Sequence, residues 1–326
     1  MKQIVLEAPG KFVEREIPVP VISPDCALVR MERVGICGSD FHAFAGTHPI
    51  CTYPRVLGHE LSGMIVECPA NERGLAPGDR CAIEPYLTCG QCRACRKGRR
   101  NCCENIQLLG IHIDGGMQEY IAVPLPLLHK SSRLSPDQLA LVETLGIGAH
   151  AVERSSLQPR NSVIIVGAGP IGLAIAQFSV LAEARVHLVE RNPERRHFLS
   201  EMGYEVSGTA GERQAEVVFD ATGSATAMAN SLSLVEPAGT LVFVGLTKDP
   251  IQMENSLFHR REITLMASRN SFGIFPDIIH LIENGKIDTT RWVTTHLSMA
   301  ETPSQFASIQ TRPNHLKAMI DLEQSH

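Results

Sequence analysis

Cysteine is missing from the last two thirds of this 326-residue sequence: all ten cysteines lie between Cys26 and Cys103. A secreted chain stapled by disulfides would not leave most of its length unstapled, so the cluster reads as metal ligation in a reducing compartment. No apolar run reaches the roughly 20 residues that a membrane helix needs. The N-terminal stretch MKQIVLEAPGKFVERE lacks the continuous apolar core of a signal peptide, and a cytoplasmic location is the expectation. Positive charge is not in excess: 30 Lys and Arg face 35 Asp and Glu, giving a formal charge of −5. That balance argues against general affinity for nucleic acid or an anionic membrane, leaving small molecules as the expected partners. Repeats and low-complexity tracts are also lacking. What remains is an ordinary globular composition, 44% hydrophobic, at a length that suits two domains.

The first part, to about Val123, reads as short strands and turns, with CALVRMERVGIC, LGHELSGMIVEC, GDRCAIEPY and GGMQEYIAV as the strand segments. It predicts an all-β, barrel-like region. From Ser135 the character changes. SPDQLALVETLGIGAHAVERS has a helix start signal and helical spacing, though its glycines weaken the case for one unbroken helix. SVIIVGAG, RVHLVE, AEVVFDATG and GTLVFVGL then alternate with helical segments, including SATAMANSLSLVEPAG, which predicts a parallel sheet covered on both faces. The tail from about Arg269 predicts a helix in FPDIIHLIENGK and a strand in WVTTHLSM.

Gly167, Gly169 and Gly172 form G-x-G-x-x-G between a strand and a helix that opens on Pro170 and Ile171. In that context the glycines permit a tight turn, close approach of a pyrophosphate, and close helix–strand packing. Glu190 ends the next strand, where an acid grips the adenosine ribose and repels a 2′-phosphate. NAD is therefore the expected cofactor, with NADP kept open by Arg191, Arg195 and Arg196 nearby.

Two further segments carry ligand chemistry. GICGSDFHAFAG contains Cys37, Ser39, Asp40 and His42, and YPRVLGHELSG contains His59 and Glu60. A Cys and a His on neighbouring loops can supply two ligands of a zinc whose fourth position stays open for substrate. In CGQCRACRKGRRNCC, five thiols share fifteen residues with five Lys or Arg. Cys89, Cys92 and Cys95 are followed by Cys102 and Cys103, and either of the last two closes a four-thiolate shell. Such a closed shell is structural rather than catalytic, and the basic residues offset its negative charge.

With these motifs the sequence resembles the zinc-dependent medium-chain dehydrogenase/reductase family over essentially its whole length, and in particular the polyol and sugar-acid branch. GICGSDFH, YPRVLGHE, the cysteine lobe, DGGMQEY, LVETLGIGAHAV, IIVGAGPIG and DATGS carry the resemblance. It implies an α/β protein with a GroES-like β-barrel catalytic domain (1–153 and 269–326) and a Rossmann cofactor domain (154–268). It implies two zinc ions per chain. Cys37, His59 and Glu143, with Glu60 able to approach, would hold the catalytic ion; Cys89, Cys92, Cys95 and Cys103 would hold the structural one. It further implies a proton relay from Ser39 through the ribose to His42, and Asp40 bonded to the other nitrogen of His59. His112, Glu119, Arg269 and Asn270 fall in segments that contact substrate, with Arg269 suited to a sugar-acid carboxylate. A homodimer or homotetramer is implied, with EITLMAS as a pairing edge strand. Three departures stand out. Thr144 replaces a Pro, Gly38 replaces the basic residue of many alcohol dehydrogenases, and only thirty residues separate Glu190 from Asp220, predicting a trimmed element at the far side of the sheet.

Two other readings compete with this one. A zinc-ribbon nucleic-acid-binding protein with a nucleotide-sensing domain would use the basic cysteine lobe, but the acidic net charge and the Cys37/His59 pair count against it. A zinc-free reductase of the same superfamily would lack both ligand sets.

Overall fold

Period-two alternation and short Gly- or Pro-marked turns make the N-terminal part a set of antiparallel strands. A computed structural model describes residues 1–312 and 315–322. These residues group into two compact units: 1–143 with 272–326, and 144–271.

In the first unit, Lys2–Ala8 and Lys11–Glu16 form a hairpin whose turn depends on Gly10 at φ +73°. The main sheet has seven strands built around Cys26–Ile36, which is apolar along most of its eleven residues and almost wholly buried. Glu60–Glu67, Tyr120–Pro124 and Lys317–Asp321 all pair antiparallel with it. Arg80–Ile83 and Leu128–Lys130 continue the sheet on one side and Val293–Ser298 on the other. The register brings several strand ends together: Gly35 lies opposite Glu60, Ile36 opposite Ala318, and Leu61 opposite Ile83. Cys37, His59, Lys317 and the Glu84–Tyr86 turn therefore emerge at one edge of the barrel. The tail has the expected helix (Phe275–Glu283) and strand (Val293–Ser298), together with the strand Lys317–Asp321 that the sequence reading did not single out.

The second unit is a six-stranded parallel sheet. Counted in chain order, Ser162–Val166, Arg185–Val189, Glu205–Ser207, Ala215–Asp220, Val235–Phe243 and Thr264–Ala267 lie in the order 3-2-1-4-5-6. That is the doubly wound dinucleotide-binding order, with its switch point between the first and fourth strands. Two expectations are corrected. The segment 136–155 is one unbroken helix, because Gly148 faces a second helix: a Cβ there would stand 2.5 Å from the Ala174 Cβ. The helix expected through SATAMANSLSLVEPAG stops at Ser231, a single 3-10 turn covers Leu232–Leu234, and Val235 already begins the strand that contains Pro237.

The shortened stretch before Asp220 is visible as well. Glu205–Ser207 is only three residues long, and residues 208–214 lead to the fourth strand with no helix. Ser207 stands level with Asp220, so the connector crosses three strand spacings, about 14 Å, and returns about 16 Å along the sheet to Ala215; the diagonal of about 22 Å is within reach of eight Cα steps of about 3.3 Å. Ala210 of this connector packs with Ile164, Val189 and Val218, covering the sheet face directly.

Candidate active site and metal centres

Cys37 follows the central strand and caps the helix Gly38–Phe44, with its backbone N–H donating to the Asp40 carboxylate at 2.8 Å. The cap fixes the segment that carries Ser39, Asp40 and His42. His59 and Glu60 sit at the start of the adjacent strand. Gly35 is required opposite them, because a Cβ would come within 2.1 Å of the Glu60 carboxylate. The ligand atoms of Cys37, His59 and Glu60 lie within 4.8 Å of one another. Asp40, His59 and Glu60 are all buried.

Two buried atoms in this group, His59 Nδ1 and Asp40 Oδ1, have no hydrogen-bond partner, and they face each other at 3.7 Å, longer than a hydrogen bond. Burial acts to lower the His59 pKa, but Asp40, then Cys37 and Glu143, outweigh it and hold the pKa well above the ordinary value. Burial raises the Asp40 pKa against the opposing effect of His59. The group thus concentrates negative charge around an imidazole, as a site built for a cation does. A thiol, an imidazole and a carboxylate are donors that zinc accepts, and three protein ligands leave one position open. The residues fit a catalytic zinc ion.

Glu60 is also held from behind. Lys317 Nζ, fully buried, donates to both Glu60 oxygens at 2.6 and 2.7 Å and approaches the Ile36 carbonyl at 3.3 Å. Glu143 lies beyond, buried and accepting from the Tyr86 hydroxyl. Its pKa is raised to about 7, chiefly by burial, with Glu60 adding to the rise and His59, Tyr86 and Lys317 opposing it. Ser39 Oγ stands 3.4 Å from His59 Nε2, while exposed His42 places Nδ1 3.1 Å from Thr47 Oγ1. Lys317 and Tyr86 were not found by sequence reasoning; the available signal for Lys317 was a single Lys in the apolar strand HLKAMIDL.

The substrate candidates separate. His112 Nδ1 accepts from the Leu108 backbone N–H at 3.1 Å, and its charge is felt by His48, which also senses His42 and His59. Glu119 accepts from the Lys2 backbone N–H at 2.7 Å, so its carboxylate ties down the N-terminal hairpin. Arg269 and Asn270 belong to the second unit, and Asn270 adopts a left-handed φ of +51°.

In the cysteine lobe, Cys89, Cys92, Cys95 and Cys103 bring their sulfurs within 4.8 Å of one another, while Cys102 is exposed and outside the group. Backbone N–H groups of Cys89, Cys92, Cys95 and Asn105 point at these sulfurs at 3.3 to 3.4 Å. The donors from Gln91 and Cys92 lower the Cys89 pKa to about 6, favouring the thiolate that a metal takes.

In the second unit Gly167 turns at φ +87°, and a Cβ on Gly172 would meet the Gly167 carbonyl at 1.9 Å. A Cβ on Gly169 would meet nothing within 4 Å, so the helix start at Pro170 and Ile171 opens onto a free cradle, as a pyrophosphate needs. Glu190 accepts from the backbone N–H groups of Ala168 at 3.2 Å and Asn192 at 2.8 Å, and pairs with Arg195 at 3.3 Å. Arg196 bonds the carbonyls of Glu190 and Arg191.

Comparison with known proteins agrees with this architecture. Residues 23–133 match the alcohol dehydrogenase GroES-like domain and residues 170–284 the zinc-binding dehydrogenase family. The chain is 38% identical to the L-galactonate-5-dehydrogenase of Escherichia coli strain K12 over 91% of both chains. It belongs to the zinc-dependent medium-chain dehydrogenase/reductase family. The dehydrogenase is also 29% identical to the sorbitol dehydrogenase of Bacillus subtilis strain 168, over 98% of this chain and 97% of that one. An Escherichia coli CFT073 alcohol dehydrogenase solved with NADH superposes with a TM-score of 0.92 at 26% identity, covering 98% and 99% of the two chains. As a member of this family the dehydrogenase has a GroES-like barrel and a Rossmann sheet, and is an oxidoreductase that works with zinc and a nicotinamide cofactor. No helix among the described residues is long and apolar enough to cross a membrane.

Proposed function

We propose that this dehydrogenase moves a hydride between a secondary alcohol of a polyol or sugar acid and NAD, with NADP as a second cofactor, and that Cys37, His59 and Glu60 hold the catalytic zinc. The convergence of these three ligand atoms within 4.8 Å carries the reading. The relatives named for galactonate and sorbitol supply the substrate class. Bound zinc would act as a Lewis acid on the alcohol oxygen, and the nicotinamide would accept the hydride.

The chain's own groups do the rest. Ser39 Oγ, 3.4 Å from His59 Nε2, would take the alcohol proton, and exposed His42 would release it to solvent at the end of the relay. Asp40 fixes the His59 tautomer once the ring closes the 3.7 Å gap. Glu143, whose pKa of about 7 lets it exchange its proton near neutral pH and which accepts from Tyr86, stands as a reserve ligand at the same site. Cys89, Cys92, Cys95 and Cys103 hold a structural zinc. Residues 1–153 with 269–326 are assigned to the catalytic domain and 154–268 to the cofactor domain, a functional division that departs from the compact units, which part at 143/144 and 271/272. Gly167, Gly169, Gly172 and Glu190 receive the cofactor, and Arg195, paired with Glu190, softens its rejection of a 2′-phosphate. The ten free thiols suit a cytoplasmic location, and the exposed strand edge Thr264–Ala267 suits a homo-oligomer.

The test is a panel of polyols and aldonates assayed with NAD and NADP on protein of known zinc content. Cys37→Ser and His59→Ala should each abolish turnover while NADH still binds by fluorescence titration. Full activity in either variant would overturn the assignment.

A further inference from the structure

Lys317 and Glu60 belong to strands that flank Cys26–Ile36 on its two sides, so about two strand spacings separate their backbones. Gly35 lies between them, opposite both Glu60 and Met319, and the register puts Lys317, Gly35 and Glu60 on one face of the sheet. Having no side chain, Gly35 leaves that face of the central strand open. The Glu60 side chain folds back into the gap: a Cβ on Gly35 would stand 2.8 Å from the Glu60 Cβ and 2.1 Å from its Oε2. Lys317 enters from the other side. An ammonium has three N–H donors, and three acceptors meet this one: both Glu60 oxygens at 2.6 and 2.7 Å and the Ile36 carbonyl at 3.3 Å. The two side chains are 2% and 1% exposed, so water does little to weaken the pair. Cys37 directly follows Ile36 and His59 directly precedes Glu60, which sets the pair against the other two zinc-ligand candidates. The oxygens that Glu60 would offer to zinc are thus already committed to an ammonium.

We propose that Lys317 is a positioning residue that competes with the catalytic zinc for Glu60, keeping this carboxylate a weak and exchangeable ligand. The proposal rests on the reading of Cys37, His59 and Glu60 as the zinc site. Its consequence is for Lewis acidity. Negative charge given by a ligand reduces what a metal can do for an alcohol oxygen, and an ammonium on both Glu60 oxygens draws that charge away. Ordinary partners of ligating side chains act the other way. They strengthen the ligand, and losing one costs roughly 10–100-fold in metal affinity. The sign of the effect therefore separates a competing tether from a support.

The experiment measures zinc affinity of the full chain by competition with a chromophoric chelator, for wild type, Lys317→Met and Lys317→Met/Glu60→Gln. Cys37→Ser identifies which bound equivalent belongs to this site rather than to the cysteine lobe. Lys317→Met should bind that equivalent roughly tenfold more tightly than wild type, since Glu60 then has no ammonium to leave. The double variant should bind it more weakly than wild type, the carboxylate being gone. Should Lys317→Met fail to fold before zinc is added, Lys317→Gln replaces it; that variant keeps an N–H for Glu60 without the charge and should show a smaller tightening. Unchanged or weaker binding in the Lys317 variant that folds would make Lys317 a support and overturn the proposal. Tightening that persisted in the double variant would overturn it too, because charge repulsion alone would then explain the effect. If Cys37→Ser lost neither equivalent, the zinc-site reading itself would fall, and the proposal with it.

Discussion

Lys317 and Glu60 form a buried ion pair that is costly to disturb. Both are buried, and removing the ammonium takes from the Glu60 carboxylate the donor that bonds both of its oxygens. In the zinc-free protein, Lys317→Met should lower unfolding stability by about 3–5 kcal/mol. Adding Glu60→Gln to that variant should recover most of the loss, since no charge is then stranded; urea denaturation in the presence of a chelator measures both. A single-mutant loss as small as that of an exposed ion pair would contradict the buried clamp. Legibility in the sequence divides along this same line. Cys37, His59 and the cysteine lobe could be read because their residue types are chemically rare and their spacing is local. Lys317 could not, because its partner lies 257 positions away and only the strand register brings the two together.

At the scale of elements, the strand–helix alternation made the second unit legible, because apolar runs separated by helical segments leave few alternatives to a parallel sheet. The boundaries were less so. Gly148 argued against a continuous helix until its packing against Ala174 gave the missing side chain a purpose, and the strand expected from Gly239 begins already at Val235. The two edges of the sheet differ. Glu205–Ser207 is short and carries an Arg213–Glu205 ion pair, which discourages further pairing. Thr264–Ala267 is uncharged and ends the sheet on the other side. Light scattering should therefore give a multiple of the 35.6 kDa chain mass, through this second edge. A monomer at micromolar concentration would rule that pairing out.

For the molecule as a whole, the buried site adds a pH-dependent contribution to stability opposite in sign to that of most acids. Glu143 has a folded-state pKa of about 7 against its ordinary 4.5, so between those values the folded chain binds more protons than the unfolded one. The contribution of Glu143 to the stability of the zinc-free protein then falls as pH rises through this window, by up to about 3 kcal/mol. Glu143→Gln removes the term while keeping an acceptor for Tyr86. It should melt higher than wild type at pH 8 and alike near pH 4.5, without zinc; equal melting at both would show that Glu143 ionises freely. The connector 208–214 bears on the same balance from the side of chain entropy. A crossover helix must freeze each of its residues at a cost of about 1–2 kcal/mol in backbone freedom. A helical residue that buries about 50 Å² of apolar surface returns only about 1.2 kcal/mol. The two nearly cancel, so seven residues with one buried alanine can replace a helix at little net cost, and this crossing is where a doubly wound sheet can grow or shrink by whole elements while its first and second strands keep the cofactor turn intact.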